Sequence, residues 1–405
     1  MDFQLGPYNP IGAVQKDTSK RVFLCDVTAR DGEQTAGVSF SLDEKIELAK
    51  RLDAVGIGQI QLHAAGLSKE YFAEAKAICD LNLNANIEIM TFLNTAAWKD
   101  QVMAALDCGA DIMHATVPVS QCTRDFFDKL SDSETIDRAL EYIAFSKEKG
   151  AKVVNLNMLD CPRGEEPFLD ALITACMKAG INRMRVNDTV GTAAPEAMAY
   201  LVGKAKKIAN EHNPSACIGV HCHNDFGLAT ANTLAAVAAG ADFADVSVNG
   251  LGERAGNAIM AEVAAALRTM YGVDCGIKDF SALTELSAFV ARISGIPVPD
   301  GKPLVGTTAF SDQFDMHNAA IHKDLFSFQG LTPESVGNTR RILVGKGIGP
   351  YTLKMKLEEQ KLLLPEDAVP SALQTIKKTS SAKKGSPLTD AEFCSLVMSF
   401  GAKTL

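Results

Sequence analysis

Short apolar segments alternate with longer amphipathic segments from residue 21 to residue 270 of the chain. The apolar segments have the length of buried strands, and the amphipathic segments have the spacing of helices. Several helical segments end at a glycine, which readily adopts the left-handed conformation that closes a helix. The eight predicted strand–helix pairs are 21–29 with 42–55, 59–64 with 69–81, 87–93 with 96–108, 111–118 with 134–149, 152–159 with 167–179, 183–187 with 195–211, 217–223 with 227–239, and 243–249 with 257–270.

Eight such units in about 250 residues predict an α/β fold, the closed (β/α)₈ or TIM barrel. An open, doubly wound sheet is the alternative. The barrel is favoured because polar residues of catalytic types follow several strands, and active sites of barrels lie at the carboxyl ends of the strands. We expect a barrel domain over residues 1–275. Residues 276–405 are expected to form a small, mostly helical region with helices at 280–294 and 390–400 and a solvated linker at 371–386.

The composition is that of a globular protein, with 405 residues, 47% hydrophobic residues and 22% charged residues. A net charge of −9 argues against nucleic acid as a partner. Residues 1–20 lack the pattern of a signal peptide, and no apolar run has the length of a membrane helix. The ten cysteines show no paired spacing, which is typical of reduced thiols. We therefore expect a cytoplasmic protein without membrane association.

Two histidines, His221 and His223, follow a predicted buried strand with Cys222 between them. Residues two apart in a strand point to the same face, so both imidazoles are available to one divalent metal ion. In a closed barrel, a carboxylate at Asp31 and an amide at Asn257 would converge on the same place. The alternative is that these are ordinary polar residues of strand ends and a solvated turn.

A cation held in this way could bind a 2-oxo acid through its carbonyl and carboxylate oxygens and act as a Lewis acid. Arg30 precedes the candidate carboxylate and could stabilise an alkoxide that forms when a carbanion adds. The glycine-rich segment 250–257 opens the last predicted helix, and its glycines allow a close approach of the backbone to an anion.

Four motifs resemble those of the metal-dependent barrel family that contains homocitrate, isopropylmalate and citramalate synthases, and more widely hydroxymethylglutaryl-CoA lyase. They are Arg-Asp-Gly-Glu-Gln at 30–34, Asp-Thr-Val-Gly at 188–191, His-Cys-His-Asn-Asp at 221–225 and Gly-Glu-Arg-Ala-Gly-Asn at 252–257. The segment 37–45 is most similar to homocitrate synthases. The similarity covers the whole predicted barrel and, more weakly, the chain as far as Gly349.

The resemblance implies a condensation of acetyl-CoA with a small 2-oxo acid, followed by hydrolysis of the thioester. It also implies that a divalent ion, Mg, Mn or Zn, is bound by Asp31, His221 and His223, with Asn257 nearby or ligating.

Three catalytic residues are expected from the same resemblance. Arg30 would stabilise the oxyanion or enolate, His317 would be the general base, and Glu33 is a third candidate. His317 would act in its own barrel or in the partner barrel of a homodimer.

Six residues are predicted to contact the substrate: Gln34, Gln61, His63, Thr189, Glu253 and Arg254. The chain departs from the family at several points around this pocket. Gln61 replaces a glutamate, Leu159 replaces a glutamate that relays protons, and Phe328 replaces a tyrosine. Because His63 would add a donor for a second anionic group, we hypothesise a dianionic or phosphonate-bearing 2-oxo acid.

Two other functions are open at this point. A lyase would cleave a 3-hydroxyacyl-CoA, but the lyase branch carries a cysteine in the glycine loop, where this chain has Glu253 and Arg254. A non-catalytic paralogue would bind the metal and a ligand without turnover. The 2-oxo acid, the acyl group, the metal and the oligomeric state are all left open by the sequence.

Overall fold

The computed structural model describes residues 3–5, 21–127 and 129–405. Eight parallel strands form a closed barrel in which each strand pairs with the next and β8 pairs with β1, so the predicted (β/α)₈ barrel is confirmed. The strands are β1 (Phe23–Asp26), β2 (Gln59–Leu62), β3 (Asn86–Phe92), β4 (Ile112–Pro118), β5 (Val153–Leu159), β6 (Arg183–Asp188), β7 (Cys217–Cys222) and β8 (Phe243–Val246). Most of the segment predicted to lack a signal peptide lies outside the described residues.

Helices connect the strands and cover the outside of the barrel. They are α1 (Leu42–Val55), α2 (Lys69–Cys79), α3 (Trp98–Cys108), α4 (Gln121–Phe127), α5 (Asp132–Glu148), α6 (Glu166–Lys178), α7 (Pro195–His212), α8 (Ala229–Ala238) and α9 (Met260–Ala266). The limits of α1 follow from its sequence, because Ser41 and Glu44 form a capping box and Gly56 closes the helix at φ 96°. The short helix α4 was not predicted. Every helix in the described part of the chain falls short of the length or the hydropathy that a bilayer-spanning segment needs.

Strand β1 ends earlier than the sequence predicts, and this determines how the site is built. The carboxylate of Asp26 accepts hydrogen bonds from the backbone N–H and the hydroxyl of Thr28. The chain then turns, because the N–H groups of Arg30 and Asp31 both donate to the carbonyl oxygen of Val27. The predicted strand as far as residue 29 is therefore wrong, and a tight turn presents Arg30 and Asp31.

The chain divides into two compact units. The first is Gly6–Pro297, and the second comprises Val298–Leu405 with the amino-terminal residues. Helix α10 (Leu283–Ser294) belongs to the first unit, since Asn249 donates a hydrogen bond to the carbonyl oxygen of Ser287. The first unit thus ends beyond residue 275, where the sequence prediction placed the end of the barrel domain.

The second unit is mostly helical, as predicted. It contains α11 (Asp315–Lys323), α12 (Pro350–Glu359), α13 (Val369–Ala382), α14 (Asp390–Ser399) and a two-stranded antiparallel ribbon of β9 (Leu362–Leu363) and β10 (Lys403–Thr404). The predicted linker at 371–386 is wrong, because most of it lies in α13. Ala372 and Ile376 are both fully buried in an apolar cluster with Phe393, and they anchor that helix.

Candidate metal centre

Three buried side chains bring their ligand atoms together in the turn after β1 and at the end of β7. The Nε2 atoms of His221 and His223 are 3.2 Å apart. Oδ2 of Asp31 lies 3.5 Å from Nε2 of His221 and 3.8 Å from Nε2 of His223. Donor atoms that share one divalent ion at ~2.1 Å are separated by about 3–3.5 Å. The distances from His221 to His223 and to Asp31 lie in this range, and the Asp31–His223 distance of 3.8 Å is slightly longer. The structure thus brings three of the predicted ligands together at one place.

The orientation of the His221 ring is fixed by a contact at Nδ1, the nitrogen that faces away from the proposed metal. Its Nδ1 atom lies 2.9 Å from Oδ2 of Asp245, a buried residue of β8. A carboxylate in this place accepts the Nδ1 proton, so the lone pair of Nε2 points towards Asp31 and His223. Asp245 was not predicted from the sequence.

Asn257, the fourth predicted ligand, lies beside the cluster, because its backbone pairs with that of His223. Its Nδ2 atom donates to the carbonyl oxygen of Leu251 at 2.9 Å. Its Oδ1 atom is buried and has no hydrogen-bond partner among the described residues. A buried oxygen without a partner is costly unless a ligand satisfies it. The carboxylate, the amide and the two imidazoles together fit a hard or borderline divalent cation.

The electrostatic surroundings prepare these groups for ligation. Burial alone would raise the pKa of Asp31, but the Arg30 guanidinium and the two imidazoles lower that pKa to about 2. Burial and the neighbouring His221 lower the pKa of His223 to about 4, although Asp31 opposes this. At pH 7 the carboxylate is therefore ionised and the His223 imidazole is neutral, which are the forms that bind metal.

The Arg30 side chain is held by two neighbours, the predicted metal ligand Asp31 and the buried Gln61. Its Nη1 atom is 3.1 Å from Oδ2 of Asp31, and its Nε atom donates to Oε1 of Gln61 at 2.6 Å. Gln61 is fully buried and does not line the cavity, so its predicted contact with substrate is not what the structure shows. Its role in the structure is to hold Arg30.

A cavity of about 350 Å³ extends from the metal centre. Five of the six predicted substrate contacts line it, namely Gln34, His63, Thr189, Glu253 and Arg254. Asn187 also lines it, and the Oδ1 atom of this buried residue has no partner within the described chain. Five apolar residues also line the cavity, namely Met90, Phe92, Pro118, Phe127 and Leu159.

Glu33 does not line the cavity. Its Oε2 atom is 2.7 Å from Nζ of the buried Lys45 and 3.6 Å from Nε2 of His63. Burial and, next, the charge of Arg30 lower the pKa of His63 to about 4, against the effect of Glu33. The structure therefore places Glu33 behind His63, and not in the catalytic position that the sequence predicted.

Thr189 and Arg254 join the loops around the cavity. The Thr189 hydroxyl accepts a hydrogen bond from the N–H of Asp160, and its carbonyl oxygen accepts one from Nη2 of Arg254. Arg254 also donates two hydrogen bonds to the carboxylate of Asp225. Both predicted contacts are thus held in place by the loops that follow strands β5 to β8.

Comparisons with known proteins agree with this geometry. The HMGL-like family matches residues 21–290, and the homocitrate synthase post-HMGL domain-like family matches residues 304–384. The chain belongs to the HMGL-like family. The predicted family and the prediction that the protein is an enzyme are thereby confirmed.

Relatives of this HMGL-like protein are named as synthases. An (R)-citramalate synthase from Methanocaldococcus jannaschii is 38% identical and aligns with 93% of this chain and 74% of its own. A 2-isopropylmalate synthase from Sulfolobus acidocaldarius is 35% identical over 94% and 96% of the two chains. A homocitrate synthase from Methanopyrus kandleri is 36% identical over 92% and 91%. A hydroxymethylglutaryl-CoA lyase from Pseudomonas aeruginosa shares the fold, with a TM-score of 0.58 and 19% identity over 69% of this chain and 95% of its own.

His317 lies in the second unit of this HMGL-like protein. Its Nδ1 atom is 3.3 Å from Oδ1 of Asp312, and its ring stacks on Phe328 with the centroids 4.2 Å apart. The carboxylate can orient the imidazole as a catalytic base requires. Its action as the general base stays a prediction.

Three charged residues inside the barrel were missed by the sequence analysis. Glu88 on β3, Arg185 on β6 and Asp245 on β8 are almost completely buried and form ion pairs with one another. Their signal was a charged residue inside a predicted buried strand, and a fully buried charge is rare without a partner. The sequence alone does not show which of these strands face one another.

Proposed function

We propose that this HMGL-like protein is a metal-dependent synthase. It joins the methyl carbon of acetyl-CoA to the carbonyl carbon of a 2-oxo acid and then hydrolyses the thioester. The observation that carries the proposal is the buried cluster of Asp31, His221 and His223 with Arg30 beside it at one end of a cavity. The names of the relatives support the same reaction class.

The metal would be held by Asp31, His221 and His223, with Oδ1 of Asn257 as a further oxygen ligand. The identity of the metal is open among Mg, Mn and Zn. A divalent ion bound there supplies a Lewis acid for the carbonyl oxygen of the 2-oxo acid. The affinity for the ion rises with pH, because each ligand binds in its deprotonated form.

Arg30 stabilises the negative charge that develops on the carbonyl oxygen of the 2-oxo acid. Its hydrogen bond to Gln61 and its ion pair with Asp31 fix the guanidinium before the substrate binds. A donor that is already oriented loses little free energy in the transition state, which is the main source of electrostatic catalysis. The unpartnered Oδ1 atom of Asn187 offers an acceptor for a substrate hydroxyl or N–H group.

His317 removes a proton from the acetyl methyl group, with Asp312 orienting its ring. It does so in its own barrel or in the partner barrel of a homodimer. The family pattern has a glutamate and a tyrosine where this chain has Leu159 and Phe328. The proton route proposed here therefore depends on the imidazole alone.

The finer proposal is a 2-oxo acid that carries a second anionic group, such as 2-oxoglutarate, oxaloacetate or phosphonopyruvate. His63 and Arg254 line the cavity and supply the donors for that group. His63 is neutral at pH 7 and acts as a hydrogen-bond donor. The five apolar residues that line the cavity favour a second candidate, a 2-oxo acid with an uncharged side chain such as 2-oxoisovalerate or pyruvate.

A thiol-release assay tests these proposals. The full-length protein with Mn²⁺ and acetyl-CoA is offered each 2-oxo acid in turn, and free CoA is measured with a thiol reagent. We expect release that requires a 2-oxo acid and disappears in the Asp31→Ala variant. A preference for pyruvate or 2-oxoisovalerate would contradict the dianionic substrate. Cleavage of a 3-hydroxyacyl-CoA without any 2-oxo acid would support the lyase, and binding of metal and 2-oxo acid without turnover would support the non-catalytic paralogue.

We also propose a homodimer in the cytoplasm, without a nucleic-acid or membrane partner. The ten unpaired cysteines support that location, and the net charge of −9 argues against nucleic acid. Light scattering of the purified protein measures the oligomeric state, and a mass of one chain would contradict the dimer.

A further inference from the structure

A fully buried guanidinium, that of Arg185, lies inside the barrel. On strand β6 it precedes the cavity residue Asn187 by two positions, so it lies one layer of side chains below the cavity. Its Nε atom forms an ion pair with Oδ1 of Asp245 at 3.1 Å, without the geometry of a hydrogen bond, and its Nη2 atom donates to Oε2 of Glu88 at 3.0 Å. Its Nη1 atom donates to Oδ1 of Asn157 at 3.1 Å. The guanidinium also lies 3.3 Å from Nδ1 of His114 on β4 and 3.9 Å from Sγ of Cys25 on β1. All these partners lie on other strands, so one side chain ties several strands together.

Asp245, Asn157 and Glu88 connect Arg185 to the proposed active site. Asp245 contacts Nδ1 of the metal ligand His221 at 2.9 Å. Asn157 itself lines the cavity. Glu88 accepts a hydrogen bond of 2.7 Å from Gln61, which in turn accepts the 2.6 Å hydrogen bond from Arg30.

Stability does not account for this arrangement. Barrel interiors are normally filled by branched apolar side chains. Burying charges removes them from water, and replacing a buried ion pair by apolar residues of similar size is often neutral or stabilising. Glu88, Arg185 and Asp245 are nevertheless at most 1% exposed. The three charged side chains can orient polar neighbours such as His221 and Gln61, and apolar residues cannot do this.

We propose that Arg185 is a positioning residue for the reaction. It orients His221 through Asp245, and it orients Arg30 through Glu88 and Gln61, so that the metal ligand and the oxyanion-stabilising group keep their places relative to each other. This inference rests on the proposed function. Arg185 acts only through these neighbours and touches neither the metal nor the substrate.

Three variants separate positioning from stability. Arg185→Met removes the contacts of the guanidinium and leaves Glu88 and Asp245 without a countercharge. Arg185→Lys keeps the charge but loses the planar fork that reaches three partners. The double variant Arg185→Met with Glu88→Met removes the ion pair as a unit, which avoids one unpaired buried charge. Leu172→Ala is the control, because this buried residue of α6 lies outside the network and its truncation destabilises the fold.

The readouts are the affinity for Mn²⁺ by titration calorimetry, the melting temperature, and kcat and KM. We expect Arg185→Met to weaken Mn²⁺ binding about 10- to 100-fold, the range for residues that support metal ligands. Arg185→Lys should show a smaller loss. The double variant should melt at a higher temperature than Arg185→Met but still bind Mn²⁺ weakly. Leu172→Ala should melt at a lower temperature and bind Mn²⁺ as the wild type does.

The double variant decides the question even if Arg185→Met does not fold. Wild-type affinity and kcat in the double variant would overturn the inference, because the network would then serve the fold alone. Wild-type protein that binds Mn²⁺ without turnover would contradict the proposed function only. Wild-type protein that binds no Mn²⁺ would contradict both.

Discussion

His221 and Asp245 form a buried pair in which Nδ1 of the imidazole is 2.9 Å from Oδ2 of the carboxylate. The pair lies on adjacent strands, β7 and β8, of the closed barrel. It determines which nitrogen of His221 is free, since a proton on Nδ1 leaves Nε2 available. The metal-binding geometry therefore depends on a residue that no motif of the sequence pointed to.

Asp245→Asn tests this pair directly. An amide is a weaker acceptor than a carboxylate and can also present its N–H₂ group, so the Nδ1 proton loses its charged partner. We expect Mn²⁺ affinity to fall about 10- to 100-fold. Titration calorimetry measures the effect. Asp274→Asn, the same change at a half-exposed residue paired with Arg21, is the control. Equal affinity in Asp245→Asn and wild type would show that Asp245 does not set the tautomer.

Removal of the metal should abolish activity and leave the fold intact. The ligands are carried by the turn after β1 and by the end of β7, and both are already held by barrel packing and backbone hydrogen bonds. Exhaustive chelation is expected to lower the melting temperature without loss of helical circular dichroism, because a bound ion stabilises only the folded state. Activity should return when Mn²⁺ or Zn²⁺ is added. Full activity in the chelated protein is the result that would rule out the metal centre.

Arg30→Lys separates charge from geometry. Lysine keeps the positive charge, but a single ammonium group cannot reproduce both the hydrogen bond to Gln61 and the ion pair with Asp31. We expect kcat to fall by about 10²-fold, as for the loss of one oxyanion donor. KM for the 2-oxo acid should change less. Arg268→Lys, at an exposed position after α9, is the control, and an unaltered kcat in Arg30→Lys would remove Arg30 from the mechanism.

The barrel and the metal centre could be predicted because both follow from short-range patterns. The strand–helix alternation predicted the fold class. Asp31, His221 and His223 all lie at or just after the carboxyl ends of strands, which meet at one face of a closed barrel. The four motifs also identified the family.

Features that depend on pairing across the barrel could not be predicted. Gln61 was expected to face the substrate. Its amide instead accepts a hydrogen bond from Arg30, after β1, and donates one to Glu88 on β3. The polar helix α13 was mistaken for a linker because most of its Lys and Ser residues are exposed, as are Lys377, Lys378 and Ser381. Only Ala372 and Ile376, four residues apart, marked its buried side.

The pH dependence of stability should reveal the burial of His63. Burial and the charge of Arg30 lower its pKa from 6.5 to about 4 in the folded protein. Between pH 6.5 and pH 4 the unfolded chain therefore binds a proton that the folded protein does not bind, and acidification destabilises the fold. For this one group the free energy of unfolding falls by about 1.4 kcal/mol for each pH unit in that range. In His63→Gln this contribution is absent.

Urea unfolding of the metal-free protein at pH 7, 6 and 5 measures this difference. The free energy of unfolding of the wild type should fall more steeply on acidification than that of His63→Gln. Tyr71→Phe keeps the ring that stacks on His63, at a centroid distance of 4.8 Å, and should follow the wild type. Parallel curves for the wild type and His63→Gln would mean that His63 titrates alike in the folded and unfolded chains. Burial would then not keep the His63 imidazole neutral at acidic pH, and a charged imidazole would face the cavity there.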